Sequence, residues 1–254
     1  MTTLNQSFVF DSAALTDPGC VRAQNEDSVV SLPEFGIWAV ADGMGGHAAG
    51  DVASGIVIDE LTSTGIAVSA QDQRARAVER IDRAHHRIAR HMQQDEARGG
   101  GSTVAALLLH QSGLACLWAG DSRIYLLRDR RLTQLTRDHS EVAILVAAGR
   151  MTQTEARQSS RRNVITRAIG IGEVAQPEIA TGTVKDRDRF LLCSDGLTEH
   201  VEDAELAEML ASAGRAADIA GALIEETLRR GARDNVSVIV VDCALQPGFV
   251  EELD

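Results

Sequence analysis

The hydrophobic residues of this chain fall into two spacing patterns. Compact apolar runs of strand length occur at residues 37–41, 102–109, 114–119, 123–127, 178–184, 189–193 and 236–241, and residues 7–32 are typical of edge strands around a turn. Apolar positions spaced three and four residues apart predict helices at about residues 46–64, 71–97, 203–213 and 216–230. Because the links between strands are short, hairpins are favoured over parallel crossovers. We therefore expect one α+β domain over residues 1–245, with antiparallel strands flanked by two pairs of helices.

Two segments depart from this pattern. Residues 137–170 are polar and weakly helical, and they contain six arginines against three acidic residues in an otherwise acidic chain. This segment is either a solvated surface insertion or a movable flap over a site. Residues 246–254 are expected to form a loose acidic tail.

Composition and charge restrict the classes of function. The formal net charge of −12 argues against nucleic acid or an anionic membrane as the main partner, because both require a cationic surface. The four cysteines are far apart and show no C-x-x-C spacing, and three of them lie in apolar runs, which indicates buried, reduced thiols. No signal-peptide pattern opens the chain, and no apolar run approaches the ~18 residues of a membrane span. A cytoplasmic protein is expected.

A glycine-rich stretch after the first buried run holds the first candidate site. The apolar run ends at Ala41, and residues 42–46 are predicted to form the turn before the next helix. Asp42 would then stand at a strand end, beside glycine backbone that can approach a ligand closely. Since Mg²⁺ and Mn²⁺ prefer carboxylate and carbonyl oxygens, the Asp42 side chain and the Gly43 carbonyl are candidate metal ligands.

The same stretch also fits the dinucleotide-binding pattern G-x-G-x-x-A, through Gly43, Gly45 and Ala48. We reject this interpretation because Asp42 would face a pyrophosphate without a neutralising metal. The acidic residue that should reach a ribose about twenty residues later is also missing from any predicted strand end.

Five aspartates stand at the ends of apolar runs, next to glycine, asparagine or serine. They are Asp27, Asp42, Asp121, Asp195 and Asp234. Any one of them alone is best explained as a turn or cap residue, because aspartate hydrogen-bonds to nearby backbone there. For all five together that explanation is strained. A multi-carboxylate site for two divalent ions, roughly 3.5–4 Å apart, is the natural use of such a set.

Six motifs in this chain resemble, in order and approximate spacing, those of the metal-dependent protein phosphatases of the 2C type. They are Arg22-x-x-Asn-Glu-Asp27, Asp42-Gly-Met-Gly-Gly-His47, Gly101-Ser-Thr103, Gly120-Asp-Ser-Arg123, Leu192-Cys-Ser-Asp-Gly196 and Arg233-Asp-Asn235. The resemblance covers essentially the whole chain. It implies a four-layer αββα sandwich, in which two antiparallel sheets are flanked by pairs of antiparallel helices. It also implies that about residues 137–170 form a bacterial-type flap.

The resemblance implies a metal-binding role for each member of the aspartate set. Asp42 would bridge two metal ions, and the Gly43 carbonyl would bind one of them. Asp195 and Asp234 would ligate the other ion. Asp27 would hold a metal-bound water or touch the second ion directly.

The resemblance also implies roles in a third metal position, phosphate binding and proton transfer. Asp121 matches a third, weaker metal position. Arg22 would grip the substrate phosphate, and the fork of its guanidinium suits two phosphate oxygens. Members from animals have histidine after the Asp-Gly pair, where this chain has Met44. His47 is the candidate general acid in its place, although packing at a helix start explains it equally well, and a metal-bound water is the other candidate.

The function implied by the resemblance is hydrolysis of phosphoserine and phosphothreonine in proteins. Two Mn²⁺ or Mg²⁺ ions would activate a water for attack on phosphorus. The implied partners are phosphorylated proteins and a bacterial Ser/Thr kinase that the enzyme opposes, and a monomer is expected. The arginines of residues 137–170 would favour an anionic phosphopeptide.

A cysteine-dependent phosphatase is excluded because no cysteine begins a C-x₅-R motif. A catalytically inactive sensor with this fold is the remaining alternative, and the presence of every metal-binding carboxylate argues against it.

Overall fold

Two antiparallel sheets form the centre of the chain. The computed structural model describes residues 7–45, 49–94 and 99–246. The first sheet has the strand order β1 (Phe8–Asp17), β11 (Val236–Leu245), β10 (Arg189–Cys193), β7 (Arg123–Arg128) and β8 (Arg131–Gln134). The second has the order β2 (Asp27–Leu32), β3 (Ile37–Gly45), β5 (Val104–His110), β6 (Gly113–Ala119) and β9 (Glu178–Thr183), and β4 (Gly100–Ser102) pairs with β3. Every pairing is antiparallel, as the short links predict.

The helices cover the outer faces of the sheets. The long helices α1 (Ala49–Thr62) and α2 (Ala70–Gln94) pack on the second sheet, and α6 (Asp203–Ala211) and α7 (Ala216–Arg229) pack on the first. Three further helices are short: α3 (Glu141–Ala147) and α4 (Gln153–Gln158) lie between β8 and β9, and α5 (Asp195–Thr198) follows β10. The predicted α+β sandwich of four layers is confirmed. Within the described ranges, no helix is both long enough and apolar enough to cross a membrane.

The central strand β3 shows why the sandwich holds together. Trp38 and Val40 face the space between the two sheets, whereas Ile37, Ala39 and Ala41 face the outer helices. Both faces of the strand are buried, so its sequence is a continuous apolar run instead of an alternating one.

The predicted turn at residues 42–46 is wrong as far as the structure describes it, because β3 continues to Gly45. The last three residues of β3 pair with Gly100–Ser102 of β4. Four of the six paired residues are glycine, so this ribbon has no pattern of side chains by which sequence could reveal it. Asp42 therefore lies inside a strand and not at its end.

The weakly helical segment 137–170 contains two short capped helices. Ser140 caps α3, because its hydroxyl accepts a hydrogen bond from the Ala143 N–H at 3.3 Å. Thr152 and Glu155 form a reciprocal capping box at the start of α4. Local capping of this kind stabilises helices that bury few side chains.

Candidate metal centre

Asp27 begins β2, and its carboxylate connects the two sheets. Its Oδ2 atom accepts hydrogen bonds from the hydroxyls of Ser194 and Ser237, each at 2.7 Å. Ser237 lies in β11 and Ser194 follows β10, so both donors belong to the opposite sheet. Burial raises the pKa of Asp27 to about 6, although the two hydroxyl groups lower it.

Asp42 is held in place through its backbone by Thr103. The Asp42 N–H donates to Thr103 Oγ1 at 2.9 Å, and the Asp42 carbonyl accepts from the Thr103 N–H at 2.8 Å. The hydroxyls of Thr103 and Ser122 are 2.7 Å apart. Thr103 thus ties the strand of Asp42 to the turn that carries Asp121.

The five predicted carboxylates act on one another electrostatically. Burial, followed by negative charge, raises the pKa of Asp42 well above its ordinary value, and the charges belong to Asp27, Asp195, Asp121 and Asp234. Burial and neighbouring acids, with Asp121 foremost, also raise the pKa of Asp195. Burial and then the charge of Asp138 raise the pKa of Asp121 to about 7. The structure thus brings together side chains from five separate segments.

Glycine is required after two of these aspartates because other backbone approaches closely. A Cβ atom on Gly43 would lie 2.1 Å from the Gly50 carbonyl oxygen and 2.6 Å from that of Glu26. A Cβ atom on Gly196 would lie 2.0 Å from the Asn235 carbonyl oxygen. Each Asp-Gly pair therefore places a carboxylate where two chain segments meet, and no other residue fits there without displacing backbone.

Arg22 reaches the cluster through Asp234. Its Nη2 atom donates to Asp234 Oδ2 at 2.7 Å, and the Arg22 side chain remains 55% exposed. The loop of Arg22 is held by Asn235, whose Nδ2 atom donates to the carbonyls of Pro18 and Gln24 at 3.0 and 2.9 Å. The guanidinium thus stands at the solvent side of the cluster, where a phosphate could reach it.

The donor set fits hard divalent cations. Every predicted ligand offers oxygen, and among the described residues only Arg22 forms an ion pair with any of the five carboxylates. Negative charge therefore remains for metal ions to balance. In the same part of the chain, no three or more acidic, histidine or cysteine side chains are placed so that they could hold a metal ion on their own. Backbone carbonyls and water would have to complete the coordination, as is usual for Mg²⁺.

Neither His47 nor Met44 is seen to supply a general acid in the described part of the chain. His47, the candidate general acid, lies outside the described residues. Met44 lies in β3, partly buried, and its thioether has no proton to donate.

Sequence reasoning missed Glu26 as a member of the cluster. Burial raises the pKa of its carboxyl, and the negative charges of Asp234 and Asp51 add to the effect. Its carbonyl also accepts the Gly43 N–H at 3.1 Å. The consecutive acids Glu26-Asp27 at the start of a strand were the signal that could have identified it.

The arginines of residues 137–170 are mostly engaged with acids of this chain. The contacts are Arg137–Glu178 at 3.6 Å, Arg157–Glu202 at 2.7 Å, Arg161–Glu141 at 2.6 Å, Arg162–Glu199 at 3.2 Å and Arg167–Glu178 at 3.1 Å. Much of their charge is therefore balanced within this chain, so their attraction for an anionic peptide is weaker than the number of arginines suggests.

Comparison with known proteins identifies related sequences along most of the chain. Protein phosphatase 2C matches residues 16–236. The serine/threonine protein phosphatase PstP of Mycobacterium tuberculosis is 40% identical over 237 residues, which are 93% of this chain and 45% of that protein. This chain thus spans about half the length of that relative. The serine/threonine phosphatase stp of Listeria innocua is 33% identical, with 89% of this chain and 93% of that protein covered.

A solved structure has the same fold. The catalytic domain of the serine/threonine protein phosphatase PstP, in complex with two manganese ions, superposes with a TM-score of 0.85 at 39% identity. The match covers 94% of this chain and 100% of that one.

Proposed function

This chain belongs to the protein phosphatase 2C family, and we propose that it is a metal-dependent phosphatase acting on phosphoserine and phosphothreonine in proteins. The observation that carries the proposal is the cluster of five carboxylates, which come from five different segments of the chain. The negative charges of the others raise the pKa values of Asp42 and Asp195. Such a concentration of like charge is costly unless cations balance it.

We assign the metal ligands in accordance with this geometry and with the family. Asp42 and the Gly43 carbonyl would hold two Mn²⁺ or Mg²⁺ ions, together with Asp195 and Asp234. Asp27 would hold a metal-bound water or touch the second ion directly, because the two serines fix the orientation of its carboxylate. When bound, the ions lower the pKa of a coordinated water and neutralise phosphate charge. A third and weaker position would lie at Asp121.

The chain's own residues then orient the substrate. Arg22 would bind two phosphate oxygens with its exposed guanidinium, while the Asn235 contacts hold its loop in place. His47 remains the candidate side chain for protonating the leaving oxygen, and a water at the Asp121 position is the alternative.

We further propose a cytoplasmic enzyme that acts as a monomer and opposes a Ser/Thr kinase. The substrates would be phosphorylated proteins, including those of that kinase. The support for this is the family membership and the acidic net charge of −12, which disfavours nucleic acid and anionic membranes as partners.

Phosphate release from synthetic phosphothreonine and phosphoserine peptides tests the proposal. Turnover is expected in Mn²⁺ or Mg²⁺ and none is expected in excess EDTA. Full activity in EDTA would overturn the metal-dependent mechanism. Peptide binding without turnover in any metal would support the inactive sensor instead.

A further inference from the structure

A large groove extends from the carboxylate cluster beneath the segment 137–163. Its volume is about 1400 Å³, and both Asp121 and Asp195 line it. We call it the flap groove, with α3 and α4 as one wall and residues 198–205 as the other. Small-molecule pockets have volumes of ~300–1,000 Å³, so this groove is better suited to a length of peptide. A peptide whose phosphate lies at the cluster could continue directly into it.

The charges of the two walls cancel locally. Arg157 of α4 and Arg162, which follows α4, lie 2.7 and 3.2 Å from Glu202 and Glu199 of the other wall. The whole lining contains six arginines and seven acidic residues, so the flap groove carries no excess of positive charge. An acidic peptide would therefore gain little net attraction from entering it.

The same wall also presents small aliphatic side chains, most of them from α3. They are Val142, Ala143, Val146, Ala147 and Ala156. The first four are spaced along one face of α3, since residues four apart in a helix lie on the same side. Ile144 of the same helix is not part of the lining and is 57% exposed.

We propose that the flap groove binds the peptide flanking the phosphorylated residue and selects an aliphatic side chain there, not an acidic one. The inference rests on the proposed phosphatase function, because the phosphate anchors the peptide beside the groove. Burial of one aliphatic side chain against α3 would favour such a substrate by about tenfold or more in kcat/KM.

A scan of phosphothreonine peptides tests this selectivity. Each of the positions on both sides of the phosphothreonine is changed in turn to valine, aspartate or lysine, and kcat/KM is measured with Mn²⁺. We expect at least one position at which valine exceeds aspartate by about tenfold. The peptide rates are divided by the rate with p-nitrophenyl phosphate, because that substrate has no flanking peptide and so reports only the activity of the catalytic centre.

Two variants of α3 locate the effect. Val146→Asp introduces a carboxylate into the flap groove and should abolish the preference for valine while favouring lysine at the same position. Ala147→Asp, at an exposed position that also lines the groove, should do the same even if Val146→Asp folds poorly. Ile144→Asp is the matched control, and its peptide preferences should equal those of the wild type.

The outcomes separate this inference from the proposed function. If no peptide and no small phosphate ester is hydrolysed, the proposed function fails. If all peptides are hydrolysed at equal rates, or aspartate is preferred, the groove inference alone is wrong. A change in preference with Ile144→Asp equal to that with Ala147→Asp would also overturn it.

Discussion

Asp27 and Asp42 are direct cross-strand partners, with their Cα atoms paired in the register of β2 and β3. Like charges directly opposite on neighbouring strands are destabilising. The arrangement therefore costs stability when both carboxylates are ionised, and bound cations would recover it, as expected for a site built for metal ions.

The first prediction is that Asp42→Asn separates stability from activity. In excess EDTA the variant should melt at a higher temperature than the wild type, because one of the mutually repelling carboxylates is removed. With Mn²⁺ it should lose well over ~100-fold in kcat, more than the 10–100-fold typical of residues that only support ligands. Differential scanning calorimetry and phosphopeptide assays measure the two effects.

Asp59→Asn is the control for this variant, because Asp59 is exposed on α1. It should change neither the melting temperature in EDTA nor the turnover. If Asp42→Asn melts lower than the wild type in EDTA, repulsion within the cluster is not the dominant effect at that position.

Patterns of residue type were sufficient to predict antiparallel strands flanked by two pairs of helices, and they singled out the five aspartates as candidate ligands. Buried runs such as that of Trp38 and Val40 identify strands, and aspartates beside glycine mark positions where backbone is crowded. The glycine ribbon of β3 and β4 could not be predicted, since pairing between residues without side chains depends on tertiary contacts alone.

The ion pairs of residues 137–170 could not be predicted from the sequence either. The segment contains six arginines, but Glu199 and Glu202, which pair with two of them, lie outside it. Composition cannot tell whether an arginine is available to a ligand or already paired. The same limitation concealed Glu26, whose environment depends on Asp51 and Asp234 from distant parts of the chain.

A second prediction concerns the serines that hold Asp27. Ser237→Ala removes one of the two hydroxyls that orient its carboxylate, so Mn²⁺ affinity should fall by about 10- to 100-fold. Calorimetric titration with Mn²⁺ measures this. Ser31→Ala is the matched control, because Ser31 donates to or accepts from Ser12 across the two sheets without contacting the cluster. Equal affinities in the two variants would mean that Asp27 does not contribute to metal binding.

A third prediction follows from the crowding at Gly43. Gly43→Ala places a Cβ atom 2.1 Å from the Gly50 carbonyl oxygen, so backbone must move and the protein should be strongly destabilised, with loss of Mn²⁺ binding. Gly55→Ala is the contrasting control, because no atom lies within 4 Å of its Cβ position in α1. It should stabilise the protein by about 0.5–1 kcal/mol. Chemical denaturation measures both, and a mild effect of Gly43→Ala would show that the strand can shift without cost.

A fourth prediction separates substrate binding from metal binding at Arg22. Loss of a charge-assisted contact of about 1.5–3 kcal/mol should lower kcat/KM by roughly 10- to 100-fold in Arg22→Ala. Arg22→Lys should recover part of the loss, since it keeps the charge and loses the fork. Mn²⁺ affinity should be nearly unchanged, because the exposed ion pair with Asp234 contributes little. A large loss of Mn²⁺ binding would make Arg22 a structural partner of Asp234 instead.

The last prediction concerns Asp121, whose pKa is raised from 3.8 to about 7, chiefly by burial and then by Asp138. Because the folded state binds this proton more tightly than the unfolded state, the carboxyl's contribution to stability is present at low pH and is lost as the pH rises through about 7. Asp121→Asn cannot ionise, so in EDTA it should melt above the wild type near pH 8 and close to the wild type near pH 4. Saturating Mn²⁺ should reverse the order near pH 8, because the wild-type carboxylate then has a cation to bind. Thermal melts of both proteins across this pH range, with and without Mn²⁺, measure the difference. If the difference in melting temperature between the two proteins in EDTA is the same at every pH, Asp121 is an ordinary turn residue. Its assignment to a third metal position then fails.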